Sequence, residues 1–273
     1  MSLAVPAEGR FGPAPLERRA LPVTSRRTVG PYVILTVEDR EGPQPAPGQF
    51  YMLAIEERWG GGSDERPFLP RALSVMDAAD GRLEFMLEDV GPGTRELCEA
   101  EPGDLLLALG PLGRGFRAPV GGRAVICAGG IGVAPMALLA RSLDGQPAIL
   151  LGFRDAAHGE AADLFADARL ATDDGSAGVE GNAVDLLRAE LAEGGPATVY
   201  ACGPPGMLEA TREACIELGA AGQLALESGM ACGYGACFGC VVPVAEGGYR
   251  RLCVDGPVLD ADELAEDWLA AYG

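Results

Sequence analysis

Three cysteines fall within nine residues near the end of the chain, Cys232, Cys237 and Cys240, and a fourth, Cys253, follows after 12 intervening residues. A C-x4-C-x2-C run is how the ligand spacing of a plant-type 2Fe-2S cluster begins. Four thiolates around a cluster need close backbone approach and N–H groups aimed at sulfur, and Gly233, Gly235 and Gly239 permit both. The same thiols could hold a structural zinc ion. Zinc sites more often pair two short C-x2–4-C knuckles, whereas here one arm is a three-cysteine loop and the other a single residue. Cys98, Cys127 and Cys215 stand in apolar or helical contexts and read as core residues.

Two further groups of residues could hold nucleotides. Arg71-Ala-Leu-Ser74 follows Pro70, and Gly91-Pro-Gly-Thr-Arg-Glu-Leu97 opens a short helix whose free N–H groups suit a pyrophosphate. Arg71 would add a bidentate cation for the same phosphates. Taken alone, R-x-x-S is weak, since a strand arginine commonly pairs with a surface carboxylate. Cys127–Pro135 (CAGGIGVAP) joins a strand to a helix, and its glycines allow the tight turn and close approach that a dinucleotide needs. Ala201–Met207 (ACGPPGM) makes a second such junction. Both turns should lie at the carboxyl edge of one sheet, where such folds bind ligands.

Other chemistries are excluded by what is missing. All 21 basic residues are arginine, so a lysine Schiff base and a Walker A loop are absent. The one histidine, His158, rules out Rieske ligation and has no nucleophile or second base beside it in sequence. It reads as a residue at a surface helix start.

The elements that must position these groups fall into three parts. Residues 17–118 carry short apolar or alternating runs, 31–38, 49–55, 71–76, 82–88 and 104–109, separated by Gly/Pro turns. That is the pattern of an antiparallel barrel or sandwich. The stretch Trp59–Arg66 looks like a flexible insertion. Residues 119–226 alternate buried-strand runs at 124–128, 148–151 and 198–201 with helical patterns, which predicts a parallel sheet covered by helices. Residues 227–273 hold the cysteines and an acidic tail, and residues 1–16 read as a flexible N-terminus.

The chain has 273 residues, 40 acidic against 21 basic, for a net charge of −19. Nucleic acid and anionic membrane surfaces would repel it. The longest uncharged run, 124–140, has 17 residues but contains three glycines and a proline, so no membrane span is expected. Met1–Leu16 lacks the basic start and apolar core of a signal peptide, which points to the cytoplasm and to reduced thiols.

Taken in order, R-x-x-S, G-x-G-T, G-P-L-G-x-G-F (110–116), G-G-I-G-x-A-P and C-G-P-x-x-M resemble the ferredoxin–NADP reductase superfamily. The terminal cysteine module narrows the resemblance to the electron-transfer subunits of two-subunit, NAD-linked dihydroorotate dehydrogenases, as do Ala171–Ser176 and Val254–Val258. The resemblance spans roughly residues 20–265. Ala72 stands where the family more often has Pro, and the 59–66 loop is extra. The family implies a β-barrel FAD domain at 17–118, an α/β parallel-sheet NAD domain at 119–226 and a small C-terminal iron–sulfur module at 227–273. It implies FAD held by Arg71, Leu73, Ser74, Gly93 and Thr94. NAD(H) would lie beside Gly130, Gly132, Pro135, Cys202, Gly203 and Pro204, with Cys202 near the nicotinamide, and the 2Fe-2S cluster would sit on Cys232, Cys237, Cys240 and Cys253.

The resemblance also implies an oxidoreductase subunit of pyrimidine biosynthesis. Hydride would pass from nicotinamide to flavin by positioning alone, and electrons would leave through the cluster. Oxidising dihydroorotate needs a pocket with its own base and flavin, conventionally on a barrel of about 250 residues for which this chain has no room. The partner is therefore a flavin-containing catalytic subunit, in a hetero-oligomer such as a heterotetramer. A reductase of the same superfamily serving a hydrogenase or a glutamate-synthase-like complex remains an alternative, and a zinc-stapled binding module is a further one. NADH is expected over NADPH, because Arg154 is the one cation near the end of the strand at 148–151. Met230, Ala231, Tyr234 and Phe238 flank the cysteines and are expected to face the partner.

Overall fold

The computed structural model describes residues 18–60 and 67–272. The N-terminal segment 1–16 and most of the 59–66 insertion lie outside the described residues. Six strands, β1 (Arg19–Val29), β2 (Tyr32–Glu38), β3 (Phe50–Ile55), β4 (Arg71–Ala79), β5 (Arg82–Leu87) and β6 (Leu105–Leu112), close into a barrel in the order β1-β2-β5-β4-β3-β6. All barrel pairings are antiparallel. Helix α1 (Pro92–Cys98) lies between β5 and β6.

Strand β2 reads as an unbroken apolar run because both its faces are covered. Val33, Leu35 and Val37 fill the barrel together with Phe85 and Leu87. Tyr32 and Ile34 point the other way and join a core with Met136 and Ala137. Alternate side chains leave a strand on opposite faces, so one strand serves both the barrel interior and the junction with the next domain.

The second domain begins with β7 (Arg123–Gly129), followed by α2 (Val133–Ser142), β8 (Ala148–Phe153), α3 (Ala156–Gly159), β9 (Arg169–Thr172), β10 (Val179–Glu180), α4 (Ala183–Ala192), β11 (Ala197–Cys202), α5 (Pro205–Leu218) and β12 (Ala221–Ala225). The sheet order is β10-β9-β8-β7-β11-β12, all parallel. Strand β8 is again buried on both faces. Ile149, Leu151 and Phe153 pack towards α2, and Leu150 packs with Leu187, Leu191 and Leu208 of α4 and α5. Asn182 caps α4 through a reciprocal box with Asp185.

The C-terminal segment forms a short ribbon, β13 (Val241–Pro243) with β14 (Tyr249–Arg251), and then β15 (Val258–Asp260). β15 adds antiparallel to β12 as the seventh strand of the sheet. Cys240, Val242, Leu252 and Cys253 share a buried cluster with Phe50, Met52 and Leu112 of the barrel and with Val199 and Leu224 of the sheet. The cysteine-bearing segment is thus wedged against both domains. The barrel, the parallel sheet and the small C-terminal module agree with the fold expected from the sequence. Among the described residues, no helix is long and apolar enough to cross a membrane.

Candidate functional site: two converging clefts and a cysteine loop

One cleft of about 250 Å³ opens between the barrel and the sheet. Leu73 and Ser74 of β4 line it, with Thr94 of α1, Cys202 of β11 and Ser228 beyond β12. The Thr94 hydroxyl accepts the Val90 N–H at 3.0 Å and donates to the Gly91 carbonyl at 3.1 Å, which shapes the turn that opens α1. Arg71 lies against Gly93 so closely that a Cβ there would stand 2.4 Å from its Cζ. The guanidinium donates to the Leu69 carbonyl at 2.6 Å and stacks over Trp59 at 5.7 Å. Ser228 Oγ is buried without a hydrogen-bond partner in the protein. A buried hydroxyl left single is costly, so this one fits a group rich in ring nitrogens and carbonyls, as a flavin is.

A second cleft, of about 390 Å³, lies over the carboxyl ends of β7, β8 and β11. Gly130, Gly203 and Pro204 line it, joined by Ile131, Arg154 and Asp173. Gly132 sits beneath rather than on it. A Cβ at Gly132 would meet the Cys202 carbonyl carbon at 2.5 Å and the Gly203 nitrogen at 2.6 Å, so only glycine lets the two Gly-rich turns touch. Pro135 is buried within α2. Cys202 is buried, and that burial holds its thiol well above the usual range, so it stays neutral on the floor of the first cleft.

The two clefts share Glu88, Ile131 and Glu227. The sequence reading gave no role to these three residues or to Ser228: Ile131 is the apolar member of the Gly-rich run 127–135, and Glu88, Glu227 and Ser228 follow strand ends with no motif of their own. Glu227 reaches solvent through the open clefts, yet the protein atoms crowding it raise its pKa above the ordinary carboxylate value.

His158 stands at a helix start, as expected, but it is buried at 9% exposure rather than on the surface. Its Nδ1 lies 2.7 Å from Asp155 Oδ1, Arg154 Nε donates to its Nε2 at 2.9 Å, and its ring meets Tyr32 edge-on at 5.7 Å. The ring packs between the two domains, because Tyr32 belongs to the barrel. Arg154 also pairs with Glu88 at 3.0 Å.

The four cysteines separate into two contacting pairs, Cys232 with Cys237 and Cys240 with Cys253. Cys240 and Cys253 are each 2% exposed, Cys232 is half-buried and Cys237 is exposed. The Gly239 N–H points at Cys237 Sγ at 3.4 Å and the Cys253 N–H at Cys240 Sγ at 3.5 Å. Burial works against ionising Cys232, but the N–H groups of Cys237, Tyr234 and Ala236 and the Cys237 thiol outweigh it and bring the Cys232 thiol down to about 6. Burial and the neighbouring Cys240 push Cys253 up to about 12. Gly233, at φ +79°, presses on the barrel, and a Cβ there would stand 2.4 Å from Met52 Cγ. Two thiol pairs with N–H groups aimed at sulfur suit a two-iron cluster, one pair to each iron.

The sequence profile of the iron-sulfur cluster binding domain of dihydroorotate dehydrogenase B matches residues 227–265. The chain is 34% identical over 247 residues to the dihydroorotate dehydrogenase B (NAD(+)) electron transfer subunit of Caldanaerobacter subterraneus subsp. tengcongensis, covering 89% of this chain and 96% of that one. To the protein of the same description from Geobacillus thermodenitrificans it is 39% identical over 232 residues, 80% of this chain and 86% of that one. Among solved structures, the NADH-dependent reduced ferredoxin-NADP oxidoreductase superposes with a TM-score of 0.77 at 22% identity, over 93% of this chain and 92% of that one. A ferredoxin NADP+ reductase from Neisseria gonorrhoeae with bound FAD and NADP superposes with a TM-score of 0.58 at 19% identity, over 74% and 92%. Both structural likenesses concern the fold.

Proposed function

Because the chain belongs to the family of electron transfer subunits of NAD-linked dihydroorotate dehydrogenase B, we propose that it passes electrons between NAD(H), FAD and a 2Fe-2S cluster. At the far end they go to or come from a flavin-containing dihydroorotate dehydrogenase catalytic subunit in pyrimidine biosynthesis. The observation that supports this reading most directly is the convergence of the clefts. The dinucleotide cleft and the flavin cleft share walls at Glu88, Ile131 and Glu227, and Met230, on the flavin cleft, is two residues from Cys232. A nicotinamide, a flavin and a cluster held at these places would come in that order.

The bound cofactors supply hydride and one-electron chemistry, and the protein supplies binding, orientation and electrostatics. We assign Leu73, Ser74 and Thr94 to the flavin, with Arg71 beside Gly93 for its phosphates. Gly130 and Gly203 bring bare backbone to NAD(H) beside Pro204, Gly132 holds the two turns together, and Pro135 stiffens α2 behind them. Cys202 forms the floor of the flavin cleft as a neutral thiol. Cys232, Cys237, Cys240 and Cys253 ligate the cluster as two pairs. No side chain has to move a proton at the nicotinamide, which agrees with a lone histidine engaged by Asp155 and Arg154. The divisions 17–118, 119–226 and 227–273 serve as FAD, NAD and cluster units, and a cytoplasmic hetero-oligomer suits a chain that keeps its thiols reduced.

Purified holoprotein should contain flavin, iron and sulfide, and reduce dyes with NADH. Combined with its catalytic partner it should link NADH to orotate. Zinc in place of iron, or dye reduction with no transfer through the partner, would sink the reading.

A further inference from the structure

We propose that Arg251 clamps the two cysteine-bearing arms together and raises the reduction potential of the cluster they hold, an inference that rests on the cluster assignment above. Arg251 ends β14, two residues before Cys253. Its Nη1 donates to the Gly235 carbonyl at 3.2 Å, in the interval between Cys232 and Cys237. Its Cζ lies 5.0 Å from the centre of the Phe238 ring, in the interval between Cys237 and Cys240. On its own arm, the Arg251 carbonyl accepts the N–H groups of Val254 at 3.0 Å and Asp255 at 2.7 Å, and its N–H donates to Asp255 Oδ2 at 2.9 Å. One residue therefore touches every interval of the three-cysteine loop and closes the turn that presents Cys253.

The loop needs such a clamp. Phe238 holds φ at +58°, a left-handed conformation that a bulky side chain adopts only when its surroundings impose it. Its ring is 61% exposed, so burial does not hold it there, whereas a guanidinium over the ring face attracts it. Gly235, at φ +87°, leaves its carbonyl turned to Arg251, and a Cβ at Gly235 would stand 3.3 Å from Nη1.

The charge has a second effect. A four-thiolate cluster becomes more negative on reduction, and net charge and hydrogen bonding around it set its potential. A cation held against the ligand loop favours the reduced state. Arginine cannot escape by losing its proton. Arg250, the neighbouring arginine, is turned to Glu263 at 2.8 Å, and Asp255 lies 3.6 Å from Arg251 Nε, so it offsets part of the field without taking the guanidinium from the loop. The surrounding segment 246–273 is acidic, with seven carboxylates against two arginines, which leaves Arg251 as a local counterweight.

The test is an EPR-monitored redox titration with iron analysis on the holoprotein as wild type, Arg251→Met and Arg251→Lys. The expected result is full iron in all three, a more negative midpoint in Arg251→Met, and a midpoint returned most of the way by Arg251→Lys. Should Arg251→Met lose its iron, Arg251→Lys decides. Retained iron near the wild-type potential supports the proposal, and lost iron overturns it. Full iron at an unchanged midpoint in Arg251→Met overturns it as well. A wild type that carries no iron fails the cluster assignment itself, a result distinct from an intact wild-type cluster with an indifferent variant.

Discussion

Glu88, just past the end of barrel strand β5, and Arg154, just past the end of sheet strand β8, form an ion pair of 3.0 Å across the junction of the two domains. Both line the dinucleotide cleft. Arg154 was the one cation in sequence placed to meet a 2′-phosphate, and in the fold it faces Glu88, Asp155 at 3.8 Å and His158. An added phosphate would have to displace a carboxylate to reach it, and Asp173 on the same cleft would repel it.

NADH should therefore be preferred over NADPH by about tenfold or more in kcat/KM, about 1.4 kcal/mol. Glu88→Gln should narrow the gap by freeing Arg154, and adding Arg154→Ala should reopen it. Steady-state kinetics with both coenzymes on the three proteins checks this. A wild type that favours NADPH would refute it.

Cys237, the exposed member of the proposed ligand set, can be changed with little cost to the fold. Cys237→Ser should lose the cluster absorbance and iron while keeping FAD and at least half of the NADH-to-dye activity, because the flavin cleft does not include it. Visible spectra and dye reduction together read both outcomes. Loss of FAD along with the iron would show that the two sites are one structural unit.

Tyr234 is 50% exposed on the cysteine loop, and aromatic side chains at such places are common in the centres of protein interfaces. Tyr234→Asp should abolish NADH-to-orotate turnover in the assembled complex and leave NADH-to-dye turnover in the isolated chain within about twofold. Size-exclusion chromatography with the catalytic partner should show weakened association. Undiminished turnover by a complex that still forms would remove Tyr234 from the docking face.

The buried carboxylate of Glu190 receives Arg123 Nε at 3.0 Å and also pairs with Arg169. Burial pushes its pKa up, but the two guanidinium groups outweigh it and the net shift is downward from 4.5. A depressed folded-state pKa contributes stability that is fully present above 4.5 and is lost as pH falls through the folded value. Glu190→Gln should cost about 1.5–3 kcal/mol at pH 7, the range for hydrogen bonds to charged groups, and the gap to wild type should narrow as pH falls below 4.5 through the folded value. Urea denaturation across pH 3–8 measures it. A gap that stays constant over that range would mean that packing and not charge holds this site.

What the sequence could determine by itself was local. The four cysteines lie within 22 residues, and the Gly-rich turns are single strand-to-helix junctions, so their chemistry shows in spacing alone. The run of Tyr32–Val37 and the alternation of strands and helices after residue 119 announced a barrel and a parallel sheet, because burial leaves a periodic trace in the chain. Contacts between distant segments leave no such trace. Glu88 meets Arg154 across 65 intervening residues, β15 returns from the cysteine segment to complete the sheet beside β12, and His158 is covered by Tyr32 from the other domain. Glu227 and Ser228 became cleft residues only because the barrel closes over the carboxyl end of β12. Only tertiary packing decides these contacts, since it depends on how two separately formed cores share one boundary rather than on the order of residues along either.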